Sequence, residues 1–370
     1  MAGVSKEEYV VIVAGGIGTR LWPWSRKKQP KQFLRLFQGQ TMLEQVYLRV
    51  QNIVPVANIF IVAPEEYSPL LSQYLPSFPS TNFLAEPTKK GTTAAYGYAA
   101  INIKQLNPDA IIHIIAADDY IVDIDRYQRS FSFSAHLVRT NSALVIYGVK
   151  PTDPNPGYGY IKVDLNTKAT QNSVDAYRVI EFHEKPSRQV AQAYISDPSY
   201  FWHTFGFSVS VTKMLELIKV HDPATYVVME QIEADLRQPS RLEQARLKEH
   251  YGNLQTSNIE EKILESEAPA TYMVVLEETW SDVGTWDHVY NLKPKDQQGN
   301  LIIGDPNNVY TIGVSNSLIV TATKPLALVG VDNLVVVDTD DVTLICAKDR
   351  SQDIKQLVDL LKDKKVESLL

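Results

Sequence analysis

The sequence predicts an α/β protein: an open, three-layer domain on a mostly parallel sheet, followed by a small β-rich module. Three observations predict it. Short, continuous apolar runs recur through the first two-thirds of the 370 residues, as strands buried on both faces do. Stretches of helical spacing separate those runs, and a helix between strands is how a parallel sheet makes its crossovers. Beyond about residue 290 the alternation gives way to brief Val/Ile/Leu/Thr pieces cut by Gly, Pro and Asn, the texture of an all-β unit.

The elements follow in chain order. Tyr9–Ala14 (YVVIVA) is the first strand and stops at Gly15-Gly16. Thr41–Asn52 has helical spacing, with Met42, Leu43, Val46 and Val50 on one face. Asn58–Ala63, Ala110–Ala116 and Ala143–Val149 read as further strands, with helices over Thr93–Leu106 and Asp125–Arg139. His113, inside an apolar strand, reads as a satisfied core histidine. A boundary near 290 separates residues 1–290 from a module over 291–370. Within that module Gln298–Ala347 is consistent with a few coils of a β-helix, although the sequence alone fixes no period. Ser351–Leu361 closes the chain as a helix, with Ile354, Leu357, Val358 and Leu361 on one side.

Composition narrows the function classes. Apolar residues at 44% and charged residues at 21% describe a globular protein, and a net charge of −7 argues against a nucleic-acid coat. The single Cys346 excludes a disulfide framework and a cluster of Cys metal ligands. No apolar run reaches the roughly 18 residues needed to span a bilayer. Glu7 and Glu8 precede the first apolar run, which is not the pattern of a secretory leader. The expectation is a cytoplasmic enzyme with neither membrane nor nucleic acid as partner. There is no Gly-x-Ser-x-Gly elbow and no His-Glu-x-x-His, so a hydrolase built on either motif is excluded.

The strongest local feature follows the first strand: Gly15-Gly16-Ile17-Gly18-Thr19-Arg20-Leu21-Trp22-Pro23. A glycine-rich turn at that place leaves backbone N–H groups free to meet phosphate oxygens. It is not a Walker A loop, since no Gly-Lys-Ser/Thr follows, and Leu21 stands where a dinucleotide fingerprint needs its third glycine. Between Tyr9 and Leu43 there is no acidic residue, while Arg20, Arg26, Lys27, Lys28, Lys31 and Arg35 crowd the same window. In an acidic protein such a patch suits a polyphosphate; the plainer alternative is a solvated basic loop.

These residues carry a resemblance. Gly15–Leu34 (GGIGTRLWPWSRKKQPKQFL) resembles the signature of the sugar-1-phosphate nucleotidylyltransferases, and its Trp-Pro, Ser-Arg and Pro-Lys-Gln-Phe-Leu details resemble the mannose-1-phosphate guanylyltransferase branch. The family's later blocks follow in order: Glu86-Pro87, Asp118, Gly157-Tyr158-Gly159-Tyr160-Ile161, Phe182-x-Glu184-Lys185-Pro186, Trp280-Ser281-Asp282-Val283-Gly284-Thr285-Trp286, and Asn333–Asp341. The resemblance implies a Rossmann-like nucleotide-diphospho-sugar transferase domain. It also implies attack of a sugar 1-phosphate on the α-phosphorus of a nucleoside triphosphate, with pyrophosphate expelled. Guanosine and mannose are the base and sugar of that branch. Catalytic roles fall on Arg20, Lys31 and Lys185, and nucleotide binding on Gly15, Gly16, Gly18, Thr19, Glu86 and Thr92. Gly159, Glu184 and Thr204 would meet the sugar; Asp118 and Asp282 would hold Mg²⁺. An Asp taken alone is more often a turn or cap residue, and only its place in a family block argues otherwise. A homodimer through the C-terminal module is a further expectation.

Four departures fall mostly on the elements that choose the sugar and base. Lys90-Gly91-Thr92-Thr93-Ala94-Ala95 stands where Arg-Asn-Thr-Ala-Pro-Ala is usual, losing a bidentate donor and an amide. Asp118-Asp119 replaces Asp-His. Trp202-His203-Thr204-Phe205 replaces Trp-Asn-Ser-Gly, and Ile259-Glu260 replaces Ile-Asp, with Glu265 matching a later acid. The alternative they open is a different sugar or base, or a non-catalytic paralogue that binds nucleotide sugar.

Overall fold

The computed structural model describes residues 7–37, 39–237, 243–276, 280–322 and 324–370. The chain forms two compact units. One comprises Met1–Gly15, Val46–Ala117 and Ile121–Trp280; the other gathers Gly16–Gln45, Asp118–Tyr120 and Ser281–Leu370.

Among its described residues the first unit has nine strands: β1 (Glu8–Val13), β2 (Ile59–Pro64), β3 (Phe83–Glu86), β4 (Ile111–Ala116), β5 (Leu144–Val149), β6 (Tyr160–Gln171), β7 (Val174–His183), β8 (Tyr200–Ser210) and β9 (Thr271–Val275). They form one sheet in the order β3-β2-β1-β4-β8-β5-β9-β7-β6. The β3-β2-β1-β4 half is wholly parallel, with Val10 opposite Ile59 on one side and His113 on the other. Antiparallel β8 then joins β4 to β5, and β6 and β7 pair as a long antiparallel ribbon.

Residue parity assigns the two faces. Val11, Ile112, Ile114 and Ile146 share a core with the helices Thr92–Leu106 and Val211–His221. His113 and Tyr147, on the opposite parity, pack against Phe131 of the helix Ile124–Asn141, with ring centroids 4.7 and 5.4 Å apart. Helices therefore cover both faces, which is why these strands read as unbroken apolar runs. Each fully buried Val, Ile or Leu contributes roughly 1.5–3 kcal/mol. His113 is a core residue, its Nδ1 2.6 Å from Ser208 Oγ.

In the second unit β10 (Leu301–Ile303), β12 (Leu318–Val320) and β14 (Leu334–Asp338) stack in parallel, as do β11 (Val309–Ile312) and β13 (Leu326–Val329). β15 (Thr343–Ala347) pairs antiparallel with β14 and ends the stack. Leu301 lies opposite Leu318, and Leu318 opposite Val335; Val309 lies opposite Leu326. Each pairing is a step of 17 residues. The corners repeat with the same step: Gly299, Asn316 and Asn333 have φ of 79°, 49° and 56°, and Gly313 and Gly330 both 62°. This is the period the sequence did not declare. Glycine and asparagine share the left-handed corner because both tolerate it, so the repeat is one of conformation rather than of letters. The closing helix, Ile354–Asp363, sets Ile354 and Val358 into a core shared with Leu21, Trp22 and Trp286.

Candidate active site

The expected site residues fall into two clusters, one in each compact unit. In the second unit the glycine-rich segment wraps around Lys31. Gly18 is left-handed, and a Cβ there would overlap the Lys31 side chain, so this glycine makes room for a lysine. Gly16 is open, since a Cβ on it would meet nothing; the same holds for Gly15, which belongs to the first unit. The Lys31 amide donates to Ile17 O at 2.9 Å, and the Ser25 hydroxyl donates to the same carbonyl. Thr19, Arg20 and Leu21 form a short 3₁₀ turn after Gly18.

Lys31 is 7% exposed, and its ammonium lies 2.7 Å from Asp118 Oδ2 while donating to the Asp282 main-chain oxygen at 2.5 Å. An antiparallel bridge between Tyr120 and Ser281 (N···O 2.8 and 3.1 Å) brings the two aspartates to one place from distant parts of the sequence. Asp282 Oδ1 accepts from Gly284 N at 3.1 Å and lies 3.0 Å from His288 Nδ1. A Cβ on Gly284 would overlap the same carboxylate. Beneath this, the two tryptophan-bearing blocks interlock: Trp286 Nε1 donates to Trp22 O at 3.1 Å, and the Trp24 and Trp286 rings meet edge-on at 5.9 Å.

The first unit holds the other cluster. Gly159 immediately precedes β6, and a Cβ on it would strike both Glu184 Oε2 and the Phe182 ring. The Glu184 carboxylate, little exposed, pairs with the neighbouring Lys185 ammonium, and Lys185 is held in left-handed backbone (φ 45°). His203 N donates to Gly159 O at 2.8 Å, placing His203 beside that glycine. Thr92 starts the helix Thr92–Leu106, where its hydroxyl accepts from Ile259 N and donates to Glu260 Oε2, both at 2.9 Å. Glu260 opens a single π-helical turn, Glu260–Leu264, a departure from regular helix that is frequent at functional sites. Glu86 ends β3 and is buried.

The electrostatics of the two clusters differ. Burial would lower the Lys31 pKa, but the Asp118 and Asp282 charges outweigh it and the net shift is upward. Burial pushes Glu86 and Glu260 up to about 7 each, with Lys89 and Tyr251 opposing at Glu86 and Thr92 opposing at Glu260. Burial takes His203 down to about 3, and the Lys185 charge adds to this, so the ring is neutral at physiological pH. Each of these buried carboxyls also has one oxygen, Oε1, with no hydrogen-bond partner among the described residues.

Asp118 and Asp282 fit a divalent cation by their chemistry. They are hard oxygen donors already gathered around one positive charge, and Mg²⁺ needs only one or two carboxylates beside phosphate oxygens. Thr204 does not fit a sugar contact here. It is 1% exposed and its hydroxyl donates to Tyr147 O at 3.2 Å, because alternation along β8 turns it away from the face that carries His203. Two departures now have physical causes. Lys90 Nζ donates to Leu254 O at 2.5 Å, and Gly91 is left-handed (φ 87°) with a Cβ that would strike Ser257 O, so residues 254–257 occupy the space an asparagine would need. Phe205 is left-handed (φ 68°) in a bulge of β8, the conformation a glycine would supply, and its ring meets Tyr96 edge-on at 5.9 Å. Sequence reasoning missed His288, whose only signal is its place three residues after the helix cap Thr285.

Among the described residues no helix is long and apolar enough to cross a membrane. Residues 9–299 match the family described as nucleotidyl transferase, and residues 307–361 match a MannoseP isomerase/GMP-like beta-helix domain. A mannose-1-phosphate guanylyltransferase of Escherichia coli is 32% identical over 362 residues, covering 95% of this chain and 73% of its own. One from Klebsiella pneumoniae is 31% identical over the same shares. A solved structure from Thermus thermophilus, described as a mannose-1-phosphate geranyltransferase, superposes with a TM-score of 0.84 at 26% identity, covering 96% of this chain and 99% of that one. The matched blocks run through nearly the whole chain, which belongs to the nucleotidyl transferase family as a sugar-1-phosphate nucleotidylyltransferase.

Proposed function

We propose that the protein transfers a guanylyl group from GTP to mannose 1-phosphate, releasing pyrophosphate. The observation that carries this reading is Lys31, buried beneath the glycine-rich segment and shared between Asp118 and Asp282. The relatives' names and the Trp-Pro and Pro-Lys-Gln-Phe-Leu details favour that base and sugar among those the family uses.

A phosphate oxygen of the sugar phosphate attacks the α-phosphorus; its bond to the bridging α,β-oxygen breaks and pyrophosphate leaves. The nucleophile is already an anion, so no base has to act, and positioning and charge neutralisation dominate. Backbone amides of Gly15, Gly16 and Gly18 and the Thr19 segment receive the triphosphate, Arg20 neutralises the departing pyrophosphate, and Lys31 attends the α-phosphate. Asp118 and Asp282 would hold Mg²⁺, which when bound neutralises phosphate oxygens. Lys185 binds the sugar phosphate, Glu184 accepts from sugar hydroxyls over Gly159, and Glu86 and Thr92 belong to the nucleotide side. We place the reaction in the cytoplasm, with a homodimer formed through the C-terminal module, where Tyr310, Ile312 and Val329 are exposed. Light scattering tests the dimer.

The test of the reaction is pyrophosphate release with Mg²⁺, crossing the common nucleoside triphosphates with a panel of sugar 1-phosphates. Signal with GTP and mannose 1-phosphate is expected. A signal confined to another pair assigns Phe205, Gly91 and Glu260 to an altered specificity. Silence with nucleotide-sugar binding retained supports a regulatory paralogue instead.

A further inference from the structure

We infer that the Lys31 ammonium holds the place of the divalent cation in the nucleotide-free protein, so that metal and Lys31 exclude each other until a triphosphate draws the lysine away. The inference rests on the assignment of Asp118 and Asp282 as metal ligands and adds an order of events to it.

Three facts carry it. Lys31 Nζ lies 2.7 Å from Asp118 Oδ2 and 2.5 Å from the Asp282 main-chain oxygen, so one ammonium already occupies the space between the two acidic residues. The lysine is buried and its stem is packed on Gly18, so the ammonium is held there by the loop rather than sampling solvent. Asp282 is itself fixed, with Oδ1 on Gly284 N and 3.0 Å from His288 Nδ1, so its carboxylate stays put when the cation changes.

A Mg²⁺ ion takes oxygen ligands at about 2.1 Å. On Asp118 Oδ2, facing Asp282, it would lie in the space the ammonium fills, with two like charges in contact. Free metal therefore competes with an amine tethered at the site, and its apparent affinity is the intrinsic one multiplied by the fraction of molecules in which the amine has left. A bound triphosphate gives Nζ a new anionic partner. The flexible lysine stem moves to it, and the carboxylates become available as the phosphate oxygens arrive to complete the coordination. Metal and nucleotide then bind with positive coupling, which by thermodynamic necessity is reciprocal.

Mn²⁺ binding followed by electron paramagnetic resonance, without nucleotide or turnover, reads this directly. With Lys31 in place, D118N should leave Mn²⁺ binding unchanged, since the site is already filled by lysine. A tight Mn²⁺ site in the wild type that D118N removes overturns the inference. K31M, and K31Q as a variant that keeps a hydrogen-bond donor for folding, should each bind Mn²⁺ at least tenfold more tightly than wild type. That gain should vanish when D118N is added. Unchanged or weaker Mn²⁺ binding in folded K31M and K31Q overturns it, as does a gain that survives D118N. Loss of pyrophosphate release from every substrate pair would count against the proposed reaction and leave these binding results standing.

Discussion

Two buried polar clusters in this molecule solve the same problem in opposite ways. Around Lys31 the charge stays, because Asp118 and Asp282 compensate it at close range. Around Glu260 and Glu86 burial outweighs the Lys185 and Lys89 charges and moves both carboxyls toward the neutral form near pH 7. A buried ion is tolerated when paired and hydrogen-bonded, and otherwise neutralises. The comparison teaches where each cluster is vulnerable: the first to loss of one partner, the second to pH.

The largest effect should come from breaking the charged cluster. Asp282→Asn removes a charge that Lys31 feels and disturbs the contact with His288. The expected loss is about 10²–10³-fold in kcat, the scale of losing one preorganised electrostatic group. Wild-type pyrophosphate release by this variant would remove Asp282 from the machinery.

The neutral cluster is tested by pH. Glu260 has an ordinary pKa of 4.5 and one of about 7 when folded. Its contribution is fully present below pH 4.5 and is lost as pH rises toward 7, since the unfolded chain ionises first. Glu260→Gln keeps the shape and cannot ionise, so its stability relative to wild type should rise across that window, by up to about 3 kcal/mol at 1.4 kcal/mol per pH unit. Denaturant midpoints at pH 5 and pH 8 measure it; parallel pH profiles for the two proteins would mean that Glu260 is charged and paired.

Smaller effects separate backbone from side chain. Phe205→Gly relieves a left-handed residue, worth about 1–2 kcal/mol, and loses an edge-on contact with Tyr96, worth about 0.5–1.5 kcal/mol. It also removes a partly buried ring packed against the core, roughly 1.5–3 kcal/mol, so stability should fall by about 1–2 kcal/mol while the preference among sugar 1-phosphates shifts; an unchanged preference would separate Phe205 from the pocket. Smallest of all, Thr204→Val should cost about 1 kcal/mol through the bond to Tyr147 O and leave the KM for sugar phosphate unchanged. A raised KM would return Thr204 to the site.

The sequence was legible where one residue type has one physical use. The apolar runs at 9–14, 58–63, 110–116 and 143–149 became β1, β2, β4 and β5 to within a residue or so, because strands covered on both faces have nothing polar to show. Asp118 and Asp282 were legible as candidates from the blocks around them, but their meeting depends on the Tyr120–Ser281 bridge between remote segments, which no local pattern announces. The reason for Gly18 was only half visible. A glycine-rich turn predicts free amides, whereas the need at this position is space for Lys31, thirteen residues on. Thr204 was misread because a motif gives order along the chain and not which face of a bulged strand a residue takes.

The 17-residue step of the C-terminal stack sets a rule for how that module can change in length. A duplication of one whole coil, residues 301–317 for example, restores every rung and every left-handed corner and lengthens the stack by one strand spacing, about 4.8 Å. An insertion of any other length has to be carried outside the ladder as a loop, or it shifts the Gly299, Asn316 and Asn333 corners onto residues with a Cβ ill-suited to them. Growth of this end of the molecule is quantised in whole turns.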